Sequence, residues 1–357
     1  MTLSRVFLSI NEESRAVRRV GPARPCIVQA ALITVAILLI TACSSGATAL
    51  GPAVRATAVP SLLPASTPLP TALPTPSLPF YIEALRARLP VAGKIEIGDV
   101  MWRGQGFTKS HVKWTSGGDP MTGTISMPDG GGPFPVVVVN HGHIPPERYW
   151  IGQDSGIFGD PMAAHGFISI APNYVGYGGS GAGDPGLQPN EQIAITVMDL
   201  ISSLGSLPQA DPARVAVVGH SQGGGVSQIL MVIDPRIKAV VLHAPVSSDE
   251  AENAVRRHER TGSWPSLGDP SQNPEAYMHI SPRAYFAQRQ PPALLVQGTL
   301  DHTIPAAHTQ GTFDALQRAG VESRLLWIPG GDHDLVGADL ATAVEAQEAW
   351  IRKALGL

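Results

Sequence analysis

The stretch Val215-Ala216-Val217-Val218-Gly219-His220-Ser221-Gln222-Gly223-Gly224-Gly225 limits what this chain can fold into more than any other. It reads as a buried apolar strand, a G-x-S-x-G turn and the start of a helix running on through the apolar residues Val226 to Ile233. Small residues two positions either side of Ser221 let the backbone turn that sharply without side-chain clashes. In a chain with 38 glycines a bare G-x-S-x-G arises readily by chance, so the strand-turn-helix context carries the argument.

The rest of the chain has matching grammar. Ile82, Leu85 and Leu89 sit at helical spacing, and Lys94–Arg103, Phe107–Thr115 and Met121–Met127 read as antiparallel strands at a sheet edge. Beyond the turn Asp129-Gly130-Gly131-Gly132-Pro133 come short continuous apolar runs at Pro135–Asn140, Phe167–Ala171, Arg214–Val218, Ala239–Leu242, Ala293–Gln297 and Arg324–Ile328. Runs apolar on both faces belong to parallel strands covered by helices. Helical faces lie between and after them, as at Ile193, Val197, Leu200, Ile201 and Leu204, and at Leu340, Val344, Ile351 and Leu355. The expected class is α/β: a doubly wound, mostly parallel sheet flanked by helices, with antiparallel N-terminal edge strands. Residues 247–290 interrupt the rhythm with charged, proline-containing sequence, and are expected to form a lid or pocket wall over the active end of the sheet.

A serine hydroxyl needs an imidazole base within hydrogen-bond reach and a carboxylate to hold the imidazole in the right tautomer. The run from Leu294 to Pro305 places Asp301 a few residues beyond one expected strand, and the run from Leu325 to Leu335 places His333 beyond the next. Both then fall on the same rim as Ser221. Asp332 and Asp334 compete for the acid role, but residues adjacent in sequence to an imidazole seldom reach the nitrogen that needs orienting. His302 and His308 read as surface or loop histidines and His220 as a packing or pocket residue. His141 and His143 lack an accompanying H-E-x-x-H pattern or thiolate pair, so no metal site is expected. One oxyanion donor is expected to be the backbone N–H of Gln222, the residue after the serine.

From about Pro133 onward the chain resembles the α/β hydrolases of the prolyl oligopeptidase and dienelactone hydrolase type. The resemblance rests on Asn140-His141-Gly142, on Asn173-Tyr174-Val175-Gly176-Tyr177-Gly178-Gly179-Ser180, on Asp211-Pro212-Ala213-Arg214 before the elbow, on Gln297-Gly298-Thr299-Leu300-Asp301 and on Gly331-Asp332-His333. It implies the chain order nucleophile Ser221, acid Asp301, base His333, and it implies the backbone N–H of His143 as the second oxyanion donor. Two features depart from the pattern: the length leaves no room for a β-propeller domain, and Asn173-Tyr174-Val175-Gly176 lacks the Asp and Arg often found in that loop.

The N-terminal residues 1–42 have the layout of a signal peptide: a basic region ending at Arg24, then an apolar run of 14 residues from Ile27 to Ile40. About 20 residues are needed to span a bilayer core, so a transmembrane anchor is disfavoured. Ile40-Thr41-Ala42-Cys43 resembles the bacterial lipobox, which implies cleavage before Cys43 and lipid on that cysteine. Residues 43–80 then form a tether: from Gly51 to Pro79 there are eight prolines and one charge, Arg55, too little to build a core. Residues 81–357 form the expected catalytic domain. Cys26 and Cys43 are the only cysteines, so the mature chain would hold no internal disulfide. Five arginines against two glutamates in the leader leave −7 for the remainder of a chain of net charge −4, which argues against a nucleic-acid partner. The reading is an extracytoplasmic, lipid-anchored serine hydrolase without a cofactor, acting on small esters or, alternatively, short peptides. A surface-binding lipoprotein that has lost activity is the remaining alternative.

Overall fold

The computed structural model describes residues 78–357. The expectations for residues 1–42, for Cys43 and for the tether up to residue 77 lie outside the described residues. Nine strands form one sheet in the order β1-β2-β3-β5-β4-β6-β7-β8-β9. Their spans are β1 Glu96–Gly104, β2 Phe107–Ser116, β3 Asp119–Pro128, β4 Phe134–Asn140, β5 Ile168–Pro172, β6 Ala210–His220, β7 Ile237–His243, β8 Ala293–Gly298 and β9 Ser323–Ile328. The pairs β1–β2, β2–β3 and β3–β5 are antiparallel, and every pair from β5 through β4 to β9 is parallel. This is the α/β hydrolase arrangement with an antiparallel N-terminal edge.

Burial explains the strand composition. Val136–Val139, Val215–Val218, Ala239–Leu242 and Ala293–Val296 have no exposed surface, since helices cover both faces. Helices α1 (Ile82–Ala87), α3 (Pro189–Ser203) and α4 (Gln222–Ile233) pack together on one face, while α2 (Ser155–Ala164) and α8 (Gly337–Leu355) pack on the other. α7 (Ala306–Arg318) covers β8 and β9. The chain lays β5 on one side of β4 and β6 on the other, so the sheet's growth direction switches beside β4. Such a switch opens a crevice at the carboxyl ends of the strands.

Two local expectations are revised, the helical position of Leu89 and the strand start at Arg214, which lies instead at Ala210. Ile82 and Leu85 are buried, but Leu89 lies beyond α1 and is 85 % exposed, because Pro90 keeps the residue before it out of helical conformation. Asp211-Pro212-Ala213-Arg214 lies inside β6 as a pairing irregularity, where Asp211 Oδ1 accepts from the Ala213 N–H at 2.9 Å. The segment 247–290 folds into α5 (Glu250–Thr261) and α6 (Pro274–Ile280). Ala254, Tyr277 and Ile280 from it pack with Phe80 and Tyr81. Arg283 bonds Asp249 and Glu252, both at 3.2 Å, and the Arg256 guanidinium donates to the Thr303 carbonyl in the loop after β8. The segment is therefore packed against Phe80 and Tyr81 and tied to the loop after β8.

Candidate active site

Ser221 sits between β6 and α4 with φ 54° and ψ −115°, a conformation L-residues avoid. The turn is pinned on each side: the Ser221 N–H donates to the His243 carbonyl at 2.9 Å, and the Ser221 carbonyl accepts from Gly224 and Val246. A Cβ on Gly223 would lie 2.1 Å from the Asn140 carbonyl oxygen, so only glycine lets the start of α4 press against the end of β4. The N–H of Gln222 belongs to the first turn of that helix, where backbone donors have no partner within the helix.

Asp301 and His333, on the loops after β8 and β9, are brought together. His333 Nδ1 donates to Asp301 Oδ2 at 2.8 Å. The carboxylate also accepts from Gln297 Nε2 at 2.7 Å and from the N–H groups of Thr303 and Ile304 at 2.7 and 2.8 Å. Burial pushes this carboxyl up, but the bonds from His333 and the Ile304 N–H outweigh burial and hold it below its ordinary value. The competing acids are elsewhere. Asp332 accepts from the His333 backbone N–H at 2.7 Å, not from the ring, and the Asp334 side chain is 82 % exposed.

The loop after β4 is held from several sides. The Tyr174 hydroxyl donates to the His141 carbonyl at 2.6 Å, His141 Nδ1 to the Gly142 carbonyl at 2.8 Å, and the Tyr177 hydroxyl to the Ile144 carbonyl at 2.8 Å. His141 lies stacked on Tyr174 with ring centroids 3.7 Å apart, and burial pushes its ring down to about 4. The Gly142 N–H donates to Asp154 Oδ2 at 2.6 Å, while the N–H of His143 makes no hydrogen bond among the described residues. A Cβ on Gly142 would stand 3.3 Å from the Ser221 Cβ, so the loop lies directly against Ser221.

His220 is more than a packing residue. Its Nδ1 lies 2.9 and 3.0 Å from the two oxygens of Asp154, and its Nε2 lies 3.2 Å from the His333 carbonyl. Burial pushes the His220 imidazolium down, but the Asp154 carboxylate and its hydrogen bond outweigh that and hold the ring above its ordinary value. Asp154 in turn is raised by burial and brought lower by the charge of His220, ending below its ordinary value. His220, His333 and Asp334 bring potential metal-ligating atoms within 4.8 Å of one another. A carbonyl and a carboxylate already face both nitrogens of His220, so neither keeps a free lone pair for a cation. Sequence reasoning missed Asp154, which stands in Gly152-Gln153-Asp154-Ser155 without any motif. It placed Gln297 in the motif that ends at Asp301 but missed its bond to the Asp301 carboxylate.

The model of the prolyl oligopeptidase family matches residues 160–357. The chain therefore belongs to that family of serine hydrolases, on an α/β hydrolase fold. It is 26% identical over 185 residues to the uncharacterized peptidase YuxL of Bacillus subtilis, covering 50% of this chain and 26% of that protein. It is 26% identical over 193 residues to the acylamino-acid-releasing enzyme of Arabidopsis thaliana, covering 50% of this chain and 25% of that one. The matched region thus spans about a quarter of each of these relatives. Among solved structures, an acetyl xylan esterase from Paenibacillus sp. R4 aligns with a TM-score of 0.58 at 20% identity, over 77% of this chain and 92% of that one. A Pyrococcus horikoshii acylaminoacyl peptidase aligns with a TM-score of 0.56 at 20% identity, over 70% of this chain and 42% of that one.

Proposed function

We propose that the chain hydrolyses carboxylic esters through an acyl-enzyme, with Ser221 as nucleophile, His333 as base and Asp301 as its orienting acid. The observation that carries this is the 2.8 Å bond from His333 Nδ1 to Asp301 on the rim that also presents the strained Ser221. Because Nδ1 holds its proton against a carboxylate, Nε2 keeps the lone pair that can accept the proton of the Ser221 hydroxyl. Ser221 Oγ bonds to the carbonyl carbon, and the negative charge moves to the carbonyl oxygen. The N–H groups of Gln222 and His143 are proposed to receive that oxyanion. Collapse breaks the bond to the leaving oxygen, which takes the proton from His333. Water, deprotonated by His333, then releases the acid and restores Ser221.

Ester cleavage is the reading we favour, supported by a fold shared with an acetyl xylan esterase over 77% of this chain. Peptide cleavage is the second reading, favoured by the names of the two relatives. A fluorophosphonate probe is expected to label Ser221, and a panel of acyl esters beside short peptides to show ester turnover that Ser221→Ala abolishes. Wild-type labelling of Ser221→Ala sinks the triad, and turnover of peptides alone replaces the substrate class. We also propose that the domain is held outside the cytoplasm by lipid on Cys43.

A further inference from the structure

We propose that Asp154 and His220 form a positioning pair that fixes the oxyanion loop and the His333 loop to the nucleophile turn; this rests on the triad proposed above. Three loops, after β4, β6 and β9, meet at these two side chains. Asp154 accepts from the Gly142 N–H at 2.6 Å and faces His220 Nδ1 at 2.9 Å, while His220 Nε2 faces the His333 carbonyl at 3.2 Å. Both partners of the His220 ring are acceptors, so a neutral imidazole, with one N–H, would leave one contact repulsive. The imidazolium satisfies both. His220 is 4 % exposed, and the Asp154 side chain is 15 % exposed, so the pair is shielded from water.

Each bond has a consequence for the reaction. Because Asp154 takes the Gly142 N–H, that group cannot serve an oxyanion, and the next N–H along the loop, that of His143, makes no hydrogen bond among the described residues. Because His220 holds the His333 backbone, the imidazole is located by two ties, Asp301 at its ring and His220 at its carbonyl. The rings of His220 and His333 lie 4.8 Å apart by centroid. Asp154 holds this post with φ 65° and ψ −52°, a strained backbone for a residue with a side chain. A residue serving only to fill space would need neither these hydrogen bonds nor the strain.

The test compares Asp154→Ala, Asp154→Asn and Ser221→Ala by kcat and KM on a p-nitrophenyl ester, by fluorophosphonate labelling rate and by melting temperature. Asp154→Ala is expected to lose about 10- to 100-fold in kcat, with KM within about threefold, since it displaces groups that act in the transition state. Asp154→Asn should recover most of that loss: its amide oxygen accepts from Gly142, and its NH2 donates to a neutral His220 whose Nε2–H still reaches the His333 carbonyl. A purely structural role would lower the melting temperature and the active fraction without this split and rescue. Wild-type kcat in Asp154→Ala, with Ser221→Ala inactive, overturns the positioning role and leaves the triad standing. Asp154→Asn as slow as Asp154→Ala also overturns it, whereas an active Ser221→Ala overturns the triad itself. Should Asp154→Ala not fold, His220→Gln keeps a donor toward His333 while losing Asp154. It should slow kcat by roughly tenfold, and wild-type kcat there is equally fatal.

Discussion

Asp301 has four donors around one carboxylate, of which the His333 ring is only one. Replacing it by Asn removes the charge that fixes the imidazole tautomer, and the Gln297 amide and two backbone N–H groups would then face an amide ill suited to accept from all of them. Asp301→Asn is expected to lower kcat by about 10⁴-fold. Asp332→Asn should cost roughly tenfold or less, since Asp332 contacts the backbone of His333 and changes only the local field. Steady-state turnover on one ester, with both variants shown to melt like wild type, decides between them; the reverse ranking would move the acid to Asp332. The Ser221, Asp301 and His333 positions were legible because each follows an apolar strand with recognisable neighbours. Asp154 was illegible, because it lies in a loop after β4 and its role exists only where three loops converge.

At the scale of elements, the starts of α3 and α5 bring two carboxyls toward each other. Glu191 in the first turn of α3 is 3 % exposed, and burial, aided by Glu250 of α5, pushes it up to about 8. A helix N-terminus favours a negative charge, but desolvation prevails here. The folded pKa lies above the unfolded value of about 4.3. Between those two values the unfolded chain gives up its proton while the folded one retains it, so stability falls as pH rises through the window. Glu191→Gln should remove that slope. It is expected to melt within about a degree of wild type at pH 5 but about 3 °C or more above it at pH 8. Equal melting shifts at both pH values, measured by thermal denaturation, would show that Glu191 is charged in the folded state. Element type was readable because the apolar runs are short, rich in β-branched residues and bounded by turn residues, which suits strands covered on both faces better than buried helices. Leu89 and the start of β6 depart from expectation because a following proline and a side-chain-to-backbone bond act locally against the periodicity.

For the whole molecule, the proposed anchor and the catalytic unit are separable. Cys43→Ser is expected to abolish lipid attachment while leaving kcat and KM of the purified domain within about twofold, because the proline-rich sequence between Cys43 and the folded part, which begins by Phe80, has too little apolar content to couple the two. Mass spectrometry of the mature N-terminus checks the first part, and an unmodified terminus beyond Cys43 removes the anchor. No helix among the described residues is long and apolar enough to cross a membrane. What the sequence by itself determined is local: two-sided apolar strands, helical faces, and the order of serine, aspartate and histidine on successive loops. Those follow from periodicity and from the small residues a sharp turn requires, and both are written along one dimension. Only the tertiary structure decided that Asp301, rather than its rivals beside His333, reaches the ring, and that Asp154 and His220 tie three loops together. These are contacts between residues up to 113 positions apart in the chain, set by the sheet order that lays β4 between β5 and β6, and chain separation carries no signal of that closeness.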